Sequence, residues 1–68
     1  MNAEQIIVRL IELFTQNLVE LSQLKKQSDF VVGESTAYVD CLENIQLWDK
    51  ANNYGLTYNI AKKFLREN

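Results

Sequence analysis

Between Ile6 and Leu24 the apolar residues recur at helical spacing and fill more of a helix circumference than one neighbour can cover. Ile6, Ile7, Leu10, Ile11, Leu13, Phe14, Leu18, Leu21 and Leu24 fall within an arc of about 160° at 100° per residue. Arg9, Glu12, Gln16 and Gln23 lie on the opposite side. A coiled-coil seam uses only roughly two positions in seven, so this helix is expected to touch two or more others. A chain of 68 residues supplies one other long helix, and part of the arc is therefore expected to meet a second copy.

The first helix is expected from Asn2 to about Lys26. Asn2 suits the N-cap, and Gln5 three residues on completes a capping box. Lys25 and Lys26 would fall in the last turn, where cations suit the helix dipole. A helix of about 24 residues is about 36 Å long. The chain has no proline, and its two glycines are Gly33 and Gly55, so helices can run without a breaker.

Residues Gln27 to Asp29 read as a turn short enough to make the next helix antiparallel. Ser28 or Asp29 is the N-cap. The second helix is expected from about Asp29 to Asn53, with a start at Glu34 and an extended Phe30–Gly33 as the alternative. Phe30 and Val31 fall in phase with Tyr38, Cys41 and Leu42, which favours the longer helix. Phe30, Val31, Tyr38, Cys41, Leu42, Ile45 and Trp48 share one face, and Asp29, Thr36, Asp40 and Glu43 share the other. Gly33 inside this helix costs about 1 kcal/mol relative to alanine, and with Ala37 it makes a small spot that another backbone could approach. Gly55 suits a left-handed C′ position and Leu56 the apolar contact of a Schellman motif. Thr57 then caps a short helix from about Tyr58 to Arg66. Ile60, Ala61, Phe64 and Leu65 cover one end of the hairpin, and Lys62, Lys63 and Arg66 stay outside.

The expected fold is thus all-α: a single domain, residues 1–68, built as an antiparallel hairpin of two long helices plus a short C-terminal helix, dimerising into a four-helix core. Size argues the same way. A chain this short buries only about 60% of its unfolded surface and usually needs a disulfide, a metal or a partner. Cys41 is the only cysteine and histidine is absent. Neither an internal disulfide nor a structural zinc site is available, which leaves a homodimer. The interface residues expected are Ile7, Leu10, Phe14, Asn17, Leu21, Glu34, Tyr38 and Trp48.

Two of these are polar. Asn17 lies in the apolar arc among Leu10, Phe14, Leu21 and Leu24. It is either a rim residue satisfied by a neighbour or a registry device that fixes alignment at a cost in stability. Glu34 lies in line with Tyr38, Cys41 and Ile45, where an isolated carboxylate would be costly. Either it swings into solvent or pairs with Lys25 or Lys26, or it makes a polar contact at the seam with Asn17 or Tyr38.

Catalysis has little to work with. The commonest general base is missing, and Cys41 is expected to be a packed, inert thiol beside Leu42 and Ile45. Asp40 and Glu43 are spaced as on a solvated face, and no glycine-rich phosphate loop exists. Tyr38, Trp48, Tyr54 and Tyr58 read as core or interface anchors. No cofactor and no metal are expected.

Seven basic and nine acidic residues give a net charge of −2, a poor footprint for nucleic acid. The N-terminal MNAEQIIVRLIELF carries charges inside its apolar run, unlike a signal peptide, and no window approaches a bilayer span. A cytoplasmic protein is expected. Asp29, Glu34, Asp40, Glu43 and Asp49 precede any basic residue in the second segment. Lys62, Lys63 and Arg66 either offset that field, or Asp29, Asp40 and Glu43 form an acidic surface for a basic partner, such as the DNA-reading face of a regulator. Val32, Val39 and Leu47 lie near that polar face.

The run Gly33-Glu34, Ala37-Tyr38-Val39-Asp40-Cys41-Leu42-Glu43, Trp48 and Tyr54-Gly55-Leu56 resembles short uncharacterised helical proteins of Gram-positive bacteria and their mobile elements. The likeness spans about residues 28 to 60. It implies a bacterial cytoplasmic or phage-borne origin and brings no activity, cofactor or site residue. The function expected is that of a non-catalytic protein acting through self-association and protein–protein contact, with a small acidic regulator as the alternative.

Overall fold

A computed structural model describes residues 1–65, and Arg66 lies outside the described residues. Two long helices, α1 (Ala3–Ser22) and α2 (Asp29–Gln46), pack as an antiparallel hairpin. A 3₁₀ turn (Ala51–Tyr54) and a short helix, α3 (Ile60–Phe64), follow. The all-helical hairpin with a short third helix is the architecture expected from the apolar periodicity.

Helix α1 begins as its sequence dictates. The Gln5 N–H donates to the Asn2 side chain at 2.8 Å, and the Asn2 N–H donates to the Gln5 side chain at 3.0 Å, so two orphan donors are satisfied reciprocally. The helix ends at Ser22 rather than near Lys26. The Ser22 hydroxyl donates to the Val19 carbonyl at 2.7 Å, and the Gln27 side-chain amide donates to the carbonyls of Leu21 and Leu24 at 3.2 and 3.1 Å. Gln27 therefore takes acceptors that further helical N–H groups would have used. Lys25 and Lys26 consequently lie in the connection.

Ser28 is the cap of α2, accepting from the Val31 N–H at 3.2 Å. Residues 30–33 are helical, as the in-phase apolar residues suggest. The helix stops at Gln46, well short of Asn53. Phe14 lies against Tyr38, with ring centroids 5.6 Å apart. The first residue of α1 is therefore level with about position 49 of α2, since both helices rise about 1.5 Å per residue. A longer α2 would project past α1 with nothing to pack on. Instead the chain turns back, and the Gln46 amide donates to the carbonyls of Leu56 and Tyr58 at 3.1 and 2.9 Å.

Gly55, at φ 92°, closes the 3₁₀ turn. The Leu56 N–H reaches the Ala51 carbonyl and the Gly55 N–H the Asn52 carbonyl. This is the bond pattern of a Schellman motif, set on the 3₁₀ turn rather than on α2. Helix α3 is capped by Asn59, which accepts from the Lys62 N–H at 2.9 Å, and not by Thr57. The Gln46 bond to the Tyr58 carbonyl holds the preceding residues out of the helix, and asparagine is the better cap.

The core joins Ile11 and Leu18 of α1 to Val39 and Leu42 of α2, with Ala51, Leu56 and Ile60 closing it. Three expectations for α2 are corrected here. Phe30 is 77% exposed, and Cys41 is exposed rather than packed beside Leu42 and Ile45. Val39, placed near the polar face by its position, is 1% exposed. The buried face is rotated toward Ser35, Val39 and Leu42 because α3 docks on that flank and must be met by side chains there.

The two glycines should respond in opposite ways. A Cβ at helical Gly33 would meet no heavy atom within 4 Å, so Gly33→Ala should stabilise by about 0.5–1 kcal/mol, a rise in Tm of about 4–8 °C per kcal/mol in a domain of this size. Gly55→Ala should destabilise by about 1–2 kcal/mol, because its left-handed conformation opposes a Cβ. Thermal unfolding followed by circular dichroism measures both.

Candidate functional site

Helix α3 covers only one side of the hairpin. Ala61, Phe64 and Leu65 border a depression with Val32, Ser35 and Thr36 of α2. Tyr58 sits on the Thr15 side of α1, where burial pushes its phenol pKa up and the Thr15 hydroxyl partly opposes this. At 100° per residue, Leu10, Phe14, Asn17 and Leu21 lie on the other flank of the buried Ile11–Leu18 line. Glu34, Tyr38, Cys41 and Ile45 likewise lie on the other flank of Leu42. Together they form an open face.

That face has an apolar floor and a polar centre. Phe14 and Tyr38 form the floor, tilted 34° to one another. The Tyr38 hydroxyl donates to a Glu34 carboxylate oxygen at 3.4 Å. Asn17, Glu20, Leu21, Leu24, Glu34 and Tyr38 line one shallow depression. The structure thus brings Asn17, Leu21, Glu34 and Tyr38 together, with Leu10 and Phe14 beside them. Glu34 is half-buried and makes no ion pair with Lys25 or Lys26; the one ion pair among the described residues is Lys50–Glu4. Ile6 (48% exposed), Leu13 (52%) and Leu24 (44%) extend the apolar surface along the outer edge of α1.

Ile7 and Trp48 serve largely within the chain. Ile7 packs on the core, and Trp48 stacks on Tyr54 with centroids 5.7 Å apart and rings 2° from parallel. This stack belongs to a clasp that sequence reasoning missed. Glu4 accepts from Lys50 Nζ at 3.0 Å and from the Tyr54 hydroxyl at 2.7 Å, tying the start of α1 to the 3₁₀ turn. Partners 46 and 50 residues apart leave no local signal in a sequence.

On the far flank of α2, Asp29, Asp40 and Glu43 are all exposed. Val32 and Leu47 stand among them, 48% and 84% exposed. Lys62 and Lys63 make no ion pair with this ridge; Lys63 lies over the rings of Tyr58 and Phe64, 4.7 and 5.4 Å from their centroids. Arg66, the third basic residue expected to offset it, lies outside the described residues.

Among the described residues no three His, Cys, Asp or Glu side chains gather as metal ligands, and no helix is long and apolar enough to cross a membrane. Protein-family models, curated proteins and solved structures were each compared with the chain, and none matches.

The clasp should register in titration. The Tyr54 hydrogen bond, then Lys50, hold the Glu4 carboxyl below the usual carboxylate range. Its stabilising contribution is present above that range and lost as pH falls through the lowered value. The Tyr54 phenol and Lys50 ammonium are both held up, first by their bonds to Glu4. Their contributions are present below their ordinary values and lost as pH rises through the raised ones. The Glu4 side-chain resonance should therefore titrate at higher pH in Tyr54→Phe than in wild type, as followed by NMR. An unchanged midpoint would show that the bond does not form in solution.

Proposed function

We propose that the protein is a non-catalytic helical module, working in the bacterial cytoplasm or for a mobile element, and that it acts through self-association of the open hairpin face. The observation that carries this is the one-sided cover by α3. It leaves Ile6, Leu13 and Leu24 exposed beside Leu10, Phe14, Leu21 and Tyr38 in a chain whose internal core is small. Apolar surface gathered on one face of a small domain marks an interaction site, and association adds burial that a single short chain lacks.

Light scattering after gel filtration is expected to give about twice the 7.9 kDa chain mass. Leu13→Glu should return the mass to that of one chain with unchanged helix content, because the side chain is already half exposed and a carboxylate at a packed seam is costly. A folded wild-type monomer at every concentration would overturn the proposal.

A second reading is favoured by the acidic ridge. Asp29, Asp40 and Glu43 are exposed without an ion pair among the described residues, and Leu47, 84% exposed, offers apolar contact at the end of the ridge beyond Glu43. This suits a small acidic regulator docking a basic, nucleic-acid-binding protein. Basic polypeptides should be retained on the immobilised chain at low salt and released as salt screens the field. Asp40→Asn with Glu43→Gln should weaken retention; retention independent of both changes would remove the reading.

A further inference from the structure

The open face carries two matching rows of side chains, one on each helix. On α1 they are Ile6, Leu10, Leu13 and Asn17; on α2 they are Phe30, Glu34, Ala37 and Cys41. Both rows advance by steps of four, three and four, which is the spacing of a helix–helix seam. Each row stands on the open-face side of its helix's buried line, about 120° from Ile11 and Leu18 on α1 and about 140° from Val39 and Leu42 on α2 by helical geometry. Each helix thus has one line turned to its own chain and a second turned to another neighbour, as a helix of a four-helix bundle does.

The rows also agree in height. Since Phe14 lies against Tyr38, a step up α1 is matched by a step down α2. Asn17 is then level with Glu34, Leu13 with Ala37 and Leu10 with Cys41, each within about two residues or 3 Å. Large side chains stand level with small ones at two steps, and the one amide stands level with the one carboxylate.

Resting on the self-association reading, we infer that two copies pair about a two-fold axis running along the hairpin, with α1 of each copy lying antiparallel on α2 of the other. Such an axis preserves height, so Asn17 meets Glu34 of the second copy, twice by symmetry. The Asn17 amide supplies N–H donors to a carboxylate that within its own chain is bonded by the Tyr38 hydroxyl. An axis across the hairpin would instead set α1 on α1 and reverse the heights. Glu34 would then face Ile45, and Asn17 would face the region of Leu10, stranding both polar groups against apolar side chains.

The occupant is a second copy because the area fits one. The molecule is 38 Å long and between 15 and 22 Å across, so the face offers roughly 600–800 Å², close to the ~800 Å² each partner contributes to a standard interface. Phe30, 77% exposed on its own chain, stands at the end of the α2 row that this arrangement covers. The outward side of each α2 corner is then the flank of Asp29, Asp40 and Glu43. The outward side of α1 is that of Gln5, Glu12, Gln16 and Gln23, so every polar row faces solvent.

Oxidative cross-linking with single-cysteine chains tests the register. Wild type carries only Cys41, and a Leu10→Cys/Cys41→Ser chain carries only the cysteine at position 10. Mixed and oxidised, the two should form a disulfide-linked heterodimer, while neither links to itself, since like positions lie across the bundle diagonal. Leu13→Cys/Cys41→Ser mixed with Ala37→Cys/Cys41→Ser provides a second pair should the first variant fail to fold, as judged by circular dichroism. Wild-type chains that self-link through Cys41, with no heterodimer from either mixture, would place the axis across the hairpin. That result overturns this arrangement while light scattering still shows a dimer. A monomeric wild type overturns the self-association reading itself.

Discussion

One side-chain amide determines where the chain turns back. Gln46 stands at the last turn of α2 and holds the carbonyls of both Leu56 and Tyr58. These acceptors belong to a segment that enters the interior without regular secondary structure of its own, and a buried backbone group left unpaired would cost about as much as a lost hydrogen bond. Leu56 and Ile60, 2% and 1% exposed, reach the core only because that segment can be accommodated there. Helix α3 has five residues, too few to be helical alone, so it exists as a docked piece. Its cap, its cation over two aromatic rings and its buried Ile60 all depend on the return that Gln46 anchors.

What could be read from the residues followed the range of the interactions. The capping box at Asn2 and Gln5, the Ser28 cap and the left-handed Gly55 are decided within a few residues, and each stands where its local pattern put it. The ends of α1 and α2 were misplaced because their terminators are side chains acting over distance. Gln27 reaches back six residues to Leu21, and Gln46 reaches forward ten and twelve. The facing of α2 was misread for a related reason. Phe30, Tyr38, Cys41 and Ile45 fall in phase along one line, but the intrachain core is centred on Val39 and Leu42, where α1 and α3 both press. Helical phase includes Leu42 in the expected face but not Val39, because phase alone does not say which flank α3 covers. Asn17, Glu34 and Tyr38 line one depression, since helical phase sets them on the same open flank of the hairpin.

That pair of lines on α2, with the wide arc on α1, is the central physical fact about this chain. A three-helix arrangement with a five-residue third helix covers one side of a hairpin and leaves the other to solvent. Natural domains of this size tolerate such exposure when another surface covers it, because their net stability is the small difference between burial and conformational entropy. In the proposed pairing, the polar pair on the open face would give the seam an alignment as well as an affinity, since a carboxylate and an amide tolerate few misregistered neighbours.

The acidic ridge and the open face occupy different flanks of the same helix. Occupying one therefore leaves the other accessible, and a partner held on the ridge would be counted per chain. Pairing two chains would leave each ridge unaltered and turn a particle with one docking edge into a bivalent one, with its edges on opposite corners. The strength with which such a particle grips a repeated or symmetric target would then follow from how many chains are paired, through effective concentration rather than through any new contact.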